Sequence, residues 1–440
     1  MGGTAAGGDA GSSGSAGQST GGVASVGGSA GLGASGGSAG LGGSAGGAGA
    51  GGGAGANVGG AASAAGSSAG GATGGTGGTS SSCAAISGVS APGTDWELLA
   101  TDPGAEGGVR PRMVDFDVNP CGIAFLTYQL PGAGFFISTW GANGFEPLGE
   151  RNTTYPFTDA AAVVVDVGDD GVPFVAWRKN GEIGVARWSG STWDVVGGTV
   201  TTGYLGAFIS LPAGPALFFL EGAYGSRTVG AKIWDGTEWQ AMGSQPILGV
   251  ILETSIWVSR DSRGRALLGN VQNFVWDKPD WTEQYAMRWD GTDWAPLGGD
   301  HGPDPWGDNW RKDITAIGGD VPVTSSTPTV IKFWNGANWQ AYPALPYGTF
   351  AFAKDWTGEL LVLKAARFVD PNLEGQVRVL RMESGTWNQM GTDIADGIRG
   401  EYPSDPSIPY VVSFKVGVGE NARWVAMQTN SKLEIRAWGR

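Results

Sequence analysis

The sequence predicts an all-β fold in which seven antiparallel sheets of four short strands stand as blades in a ring, a seven-bladed β-propeller closed by N- and C-terminal strands in one blade. Three observations carry this. A Trp-x-Gly-x-x-Trp hairpin recurs at near-constant spacing, four strand patterns fill each interval, and the two ends of the repeat region are complementary parts of one unit.

The clearest hairpin is Trp289-Asp290-Gly291-Thr292-Asp293-Trp294. Asp-Gly supplies the turn, because Gly tolerates positive φ, and the flanking tryptophans suit a pleated surface. The pattern returns at Trp188–Trp193, Trp234–Trp239 and Trp334–Trp339, with degenerate copies from Trp140 to Phe145 and from Met382 to Trp387. Trp96, after Gly93-Thr94-Asp95, carries only the second half. The second aromatic falls at 96, 145, 193, 239, 294, 339 and 387, in steps of 49, 48, 46, 55, 45 and 48 residues.

Between anchors the pattern has four beats, clearest in the second repeat. Ala161 to Asp166 is an apolar run, Gly168 to Gly171 a turn, and Val172 to Trp177 a second strand. After a turn at Lys179-Asn180-Gly181, Ile183 to Trp188 is a third strand, and Trp193 to Val196 a fourth. Another copy runs through Ile251–Arg260, Arg265–Asn270, Tyr285–Trp289 and Trp294–Leu297. Helical periodicity is essentially absent. The chain finishes on Leu433 to Arg440, a third strand without a fourth, and begins its repeats on Gly93 to Leu99, a fourth strand without a third. Joining them completes the seventh blade and leaves no unpaired edge.

Composition divides the chain into a linker, 1–82, and the propeller, 83–440. Residues 1–82 are almost entirely Gly, Ala, Ser and Thr, with one charge (Asp9) and no aromatic residue. With almost no large apolar side chains to offset ordering entropy, they should form a flexible, disordered segment. The net charge is −14, and an acidic chain without Lys/Arg clusters argues against nucleic acid and anionic membrane surfaces. No apolar run reaches transmembrane length. The start also lacks a signal-peptide pattern, and Ala6 breaks the myristoylation pattern, so any export signal would lie outside this sequence. Cys83 and Cys121 are the only cysteines, and a disulfide between them would pin the start of the propeller.

In such a ring the connections between strands two and three, and from strand four to the next blade, share one face. The Trp-x-Gly-x-x-Trp turns fall on the other, so these tryptophans read as packing between blades. Function is sought where the repeat breaks. The 55-residue step carries Trp276, Asp280 and Trp281 between strands two and three of the fourth blade. The next connection holds His301, Asp304, Trp306, Asp308, Trp310 and Arg311. Four tryptophans among Asp, Asn and Arg groups suit sugar binding: indole faces stack on a pyranose while polar groups bond its hydroxyls.

Other chemistry has little support. Asp166 to Gly171 approaches a calcium loop, but its twelfth position is Trp177 rather than Glu, so a strand-joining turn is expected. His301 is the only histidine, and no nucleophile elbow or Cys/His cluster stands in the chain. No cofactor and no metal are expected. Sialidase propellers have a related Asp/Gly/Trp hairpin, but their Ser-x-Asp-x-Gly-x-Thr-Trp order is missing. No motif selects Arg110, Arg112, Arg311 and Arg399 as an arginine cluster.

The hairpins at 188, 234, 289 and 334 resemble those of bacterial exported β-propellers, among them tectonin-type proteins and seven-bladed lectins that bind fucose and related sugars between blades. The resemblance covers residues 93–440. The Gly/Ala/Ser tract resembles the spacer of bacterial surface lipoproteins, without a lipobox Cys. Near-identical pockets recur in those lectins, whereas here the loops differ from blade to blade, which favours one asymmetric site. With little support for catalysis and the Trp-rich loops clustered on one face, the chain is expected to be a non-enzymatic, extracellular or cell-surface protein, a monomer that recognises carbohydrate or a surface protein. The alternatives are a protein-interaction scaffold and a glycoside hydrolase or lyase.

Overall fold

The computed structural model describes residues 83–440 apart from 84, 92, 106, 151–154, 224–226, 246, 252–255, 275–281, 300–312, 328, 346–347, 367–375 and 396–410. The chain divides at Gly74/Gly75, and everything below belongs to the second unit. The linker proposed for 1–82 lies outside the described residues.

Strand β1 (Glu97–Thr101) comes first. Blade one is β2 (Arg112–Val118), β3 (Ala124–Leu130), β4 (Gly134–Gly141) and β5 (Gly144–Pro147), and blade two is β6 (Ala162–Val167), β7 (Pro173–Lys179), β8 (Glu182–Trp188) and β9 (Trp193–Thr202). Blade three is β10 (Tyr204–Leu211), β11 (Gly214–Glu221), β12 (Arg227–Trp234) and β13 (Trp239–Ala241). A short strand, β14 (Leu248–Ile251), precedes blade four: β15 (Trp257–Arg260), β16 (Ala266–Phe274), β17 (Thr282–Trp289) and β18 (Trp294–Pro296). Blade five is β19 (Ile314–Ile317), β20 (Val321–Thr327), β21 (Val330–Trp334) and β22 (Trp339–Ala341), and blade six is β23 (Gly348–Lys354), β24 (Leu360–Ala366), β25 (Val377–Glu383) and β26 (Thr386–Gln389). Strands β27 (Val411–Val418), β28 (Ala422–Thr429) and β29 (Leu433–Gly439) complete the set.

The seventh blade has the order β1-β29-β28-β27, with Glu97 opposite Ala437, so the two ends of the repeat region share one sheet. The first strand of each blade is innermost, and these touch in a closed cycle, β2-β6-β10-β15-β19-β23-β27 and back to β2. No helix occurs among the described residues, and the core is a series of apolar clusters between successive sheets. One departure from expectation concerns Ile251. It belongs not to the first strand of blade four but to β14, which pairs with both β12 and β16 and joins blades three and four into one nine-stranded sheet.

The repeated hairpin is a clamp between blades. Its Gly is the residue at positive φ, 109° at Gly291, and Asp290 Oδ1 accepts from the backbone N–H groups of Thr292 and Asp293 at 2.7 and 2.9 Å. The second Trp then reaches backwards. Trp193, Trp239, Trp294, Trp339, Trp387 and Trp96 donate Nε1–H to the carbonyls of Leu148, Val196, Met242, Leu297, Pro343 and Met390, each on the preceding blade. One residue beyond several of these acceptors stands a glycine. A Cβ on Gly197 would lie 2.3 Å from the Trp234 ring, so only Gly lets the outer strand meet the next blade's indole.

Candidate functional site

The two faces of the ring are used differently. The hairpin face, where strands one and two and strands three and four connect, carries the clamps just described. It also carries the chain's entry: Cys83 and Cys121 form a disulfide, and Cys121 lies in the β2–β3 turn. Asn421 Nδ2 donates to the Cys83 carbonyl at 3.1 Å, and Trp140 Nε1 donates to that of Ser87 at 2.8 Å. Asp169 and Asp170, considered above for calcium, take Arg260 and Arg187 as ion-pair partners, each at 2.9 Å. Among the described residues no group of three or more His, Cys, Asp or Glu is arranged to hold a metal ion.

The eight predicted ligand residues, Trp276, Asp280, Trp281, Asp304, Trp306, Asp308, Trp310 and Arg311, all lie outside the described residues, as does His301. Their flanks are described. Strands β16 and β17 remain paired out to Phe274 opposite Thr282, and β14 braces this hairpin by pairing Ile251 with Asn273. The second stretch leaves from outermost β18 and returns at Asp313, immediately before innermost β19. Both pairs of flanks therefore end on the connection face, in neighbouring blades four and five.

Asp313 belongs to a set of carboxylates around the inner ring. Its Oδ2 accepts from Phe352 N at 2.8 Å. Asp115 and Asp117 on β2 accept from Val165 N and Val167 N of blade two at 3.1 and 2.7 Å, and Asp166 accepts from Ser210 N of blade three at 2.6 Å. The inner edges of β6, β10 and β23 each have N–H groups that these aspartates of the preceding blade satisfy. Lys415 Nζ stands 3.2 Å from Asp115, and Arg260 donates to the Ser210 carbonyl. Burial is the leading cause that raises Asp117 and Asp313 to about 6, and it carries Asp166 well above the ordinary carboxylate range.

These shifts set the sign of a pH effect. A carboxyl with a raised folded-state pKa burdens the fold when ionised, and the burden is relieved as pH falls from about 6 towards the unfolded value of 3.8. Aspartates with lowered values, such as Asp95, Asp290 and Asp293, withdraw their support only below 3.8. Thermal unfolding should therefore show higher stability at pH 5 than at pH 7.5, by about 1–2 kcal/mol for each raised group. Asp117→Asn should flatten that difference, and a variant profile parallel to the wild type would refute the assignment.

Three other groups of side chains stand at the connection ends of the strands. The Tyr204 ring is covered by the guanidiniums of Arg178 and Arg227 at 4.3 and 3.9 Å from its centroid. Phe135, Phe136, Tyr155, Phe157 and Leu148 line a small crevice between blades one and two, with Glu150 at its edge. Lys364 and Arg378 stand opposite each other on β24 and β25. Of the arginines weighed above, Arg110 approaches Asp102 at 4.0 Å and Arg112 is exposed at the start of β2. Arg311 and Arg399 lie outside the described residues. Sequence reasoning passed over the inner aspartates and Lys364. Their signal was a charge inside strands that otherwise read as apolar.

No family model matches the sequence, and no curated protein matches it either. Its fold is similar to that of several solved structures. One is YCF48 bound to D1 peptide, with 14% identity, 80% of this chain and 99% of that chain covered, and a TM-score of 0.47. Another is the Aleuria aurantia lectin in complex with Fucα1-6GlcNAc, with 15% identity, 67% and 97% covered, and a TM-score of 0.44. A third is the Penicillium chrysogenum α-L-arabinanase complexed with arabinobiose, with 14% identity, 66% and 98% covered, and a TM-score of 0.42. At such identities the likeness is of fold alone, and the seven-bladed ring rests on this chain's own strand order.

Proposed function

We propose that this chain is a non-enzymatic, exported or cell-surface binding protein that recognises a carbohydrate or another surface ligand through its connection face. The observation that carries this is the division of labour between the faces. The hairpin face is taken up by clamps and chain entry. The flanks of the two Trp-rich stretches end together on the other face, one of them on a braced hairpin. Indoles with nearby Asp and Arg groups offer stacking surface and hydroxyl partners to a sugar. The Cys83–Cys121 disulfide suits an oxidising compartment, consistent with export. The resemblance of the hairpins to tectonin-type and lectin propellers points the same way.

The test is a glycan array with the full chain beside a Trp306→Ala/Trp310→Ala double variant of equal thermal stability. Selective binding by the parent, reduced at least about 10-fold in the variant, is expected from the loss of two stacking platforms. A blank array would sink the carbohydrate reading and direct the search to a protein partner. Turnover of a bound polysaccharide would overturn the non-enzymatic assignment.

A further inference from the structure

Blade six breaks its own burial pattern at one position. Along β24, Leu360 and Val362 pack in a cluster with Phe350, Phe352, Leu380 and Met382 and with Val323 and Ile331 of blade five. The next residue of that alternation is Lys364, and it is only 9% exposed. Its cross-strand neighbours are Phe350 on β23 and Arg378 on β25. Among the described residues its ammonium has neither a hydrogen-bond acceptor nor an ion-pair partner, and it is not one of the fully enclosed unpaired polar atoms. The lysine is buried along its stem and open at its tip.

The surroundings fit that description. A Cβ on Gly348 would lie 3.0 Å from Cε and 3.2 Å from Cγ of Lys364, so the stem packs over the glycine backbone. Arg378 is held by Asp393, with Nε to Oδ1 at 2.7 Å, and by Gln376. Burial first, and the Arg378 charge second, lower the Lys364 pKa. An ammonium whose stem is buried and which has no partner among the described residues is partly desolvated, and a like charge directly across the sheet adds to the cost. An unbranched apolar residue would fill the same space, and no contact among the described residues calls for a cation here. A local rule broken without structural compensation marks a position used for something else.

We propose that Lys364, backed by Arg378, receives an oxyanion, the carboxylate or sulfate-ester group, of an acidic glycan at the connection end of blades five and six. The inference rests on the reading that this face binds carbohydrate, and it names the charge of the ligand. Gly348 and Arg378 both stand at the connection ends of their strands, so the site opens on the face to which the Trp-rich stretches attach. The ammonium supplies charge-assisted donors to the anion, and Arg378 adds positive potential while engaged by Asp393. The chain's net charge of −14 does not decide against this. At physiological salt, distant charges are screened over about 8 Å, and the local pair governs.

Calorimetric titration of the full chain with a galacturonate tetrasaccharide, its uncharged methyl ester and a sulfated tetrasaccharide tests the proposal, on wild type and Lys364→Met. Wild type should bind at least one acidic sugar about 10- to 100-fold more tightly than the ester, the range for a hydrogen bond to a charged group. Lys364→Met should erase that preference while unfolding at the same or a higher temperature. Equal binding of ester and acidic sugars by wild type, or a preference that survives Lys364→Met, would overturn the inference and leave the carbohydrate reading intact. A marked loss of thermal stability in Lys364→Met would also overturn it, because the lysine would then be structural. A second arm follows acetylation of Lys364 in wild type by a small activated ester, with galacturonate oligomer, sulfate or acetate present. Protection by the acidic sugar supports the proposal. Protection by sulfate or acetate alone, or by nothing, overturns it, and no binding by any glycan in either arm removes the carbohydrate reading as well.

Discussion

Replacing Asp355 by Ala should lower stability in chemical denaturation by about 3–5 kcal/mol, the range for removing one partner of a buried ion pair. Asp355 is fully buried in the β23–β24 turn, and Arg423 reaches it from β28 of the next blade. The guanidinium bonds it twice, Nε to Oδ1 at 3.0 Å and Nη2 to Oδ2 at 2.6 Å, and lies 3.5 Å from the centroid of the Trp356 ring. Asp355 also orders its own turn by accepting from Trp356 N at 2.8 Å. Truncating the carboxylate therefore strands a buried cation and loosens the turn that holds the stacking ring. The double variant Asp355→Ala/Arg423→Met should recover part of the loss, because no uncompensated charge then remains. A single-variant loss below about 1 kcal/mol would mean that the clasp is solvated in solution.

Opening the Cys83–Cys121 bridge should cost about 2–4 kcal/mol, from the entropy a 38-residue separation returns to the unfolded chain. Its position adds a structural reason. At six seams a Trp indole bonds the preceding blade, but at the seam between blades seven and one the corresponding residue is Phe145, which has no donor. There the segment after Cys83 serves instead. From that segment the Ser87 carbonyl accepts from Trp140 and Gly93 N donates to the Gly439 carbonyl at 3.0 Å, while Trp424 of blade seven donates directly to the Gly122 carbonyl in the β2–β3 turn of blade one at 2.7 Å. Reductant should lower the unfolding temperature, and hydrogen exchange should accelerate first in β1 and β2. Uniform exchange across all seven blades on reduction would show that this seam is no weaker than the others.

Blade number, strand order and the shared seventh blade were legible because each blade is a local unit of about 48 residues. Its alternation, turn glycines and paired aromatics all lie within one repeat. The hairpin tryptophans were readable as packing residues for the same reason, although nothing in the sequence said that their indoles reach backwards rather than forwards. Ile251 was misplaced because β14 pairs with the strands of two blades, and such pairing leaves no periodic trace. The eight residues proposed for the ligand came from breaks in the repeat, and they lie outside the described structure.

By itself the sequence determined an all-β ring of seven blades, the join of its ends in one sheet, and which connections share a face. These follow from short-range pattern and from the need to leave no strand edge unpaired. Only the tertiary structure decided how blades hold one another, with aspartates capping the next inner strand and Arg423 meeting Asp355 across 68 residues, and that Lys364 has no partner among the described residues. The physical reason is that satisfaction of a buried charge depends on which side chains sheet twist brings together, and spacing along the chain does not encode that.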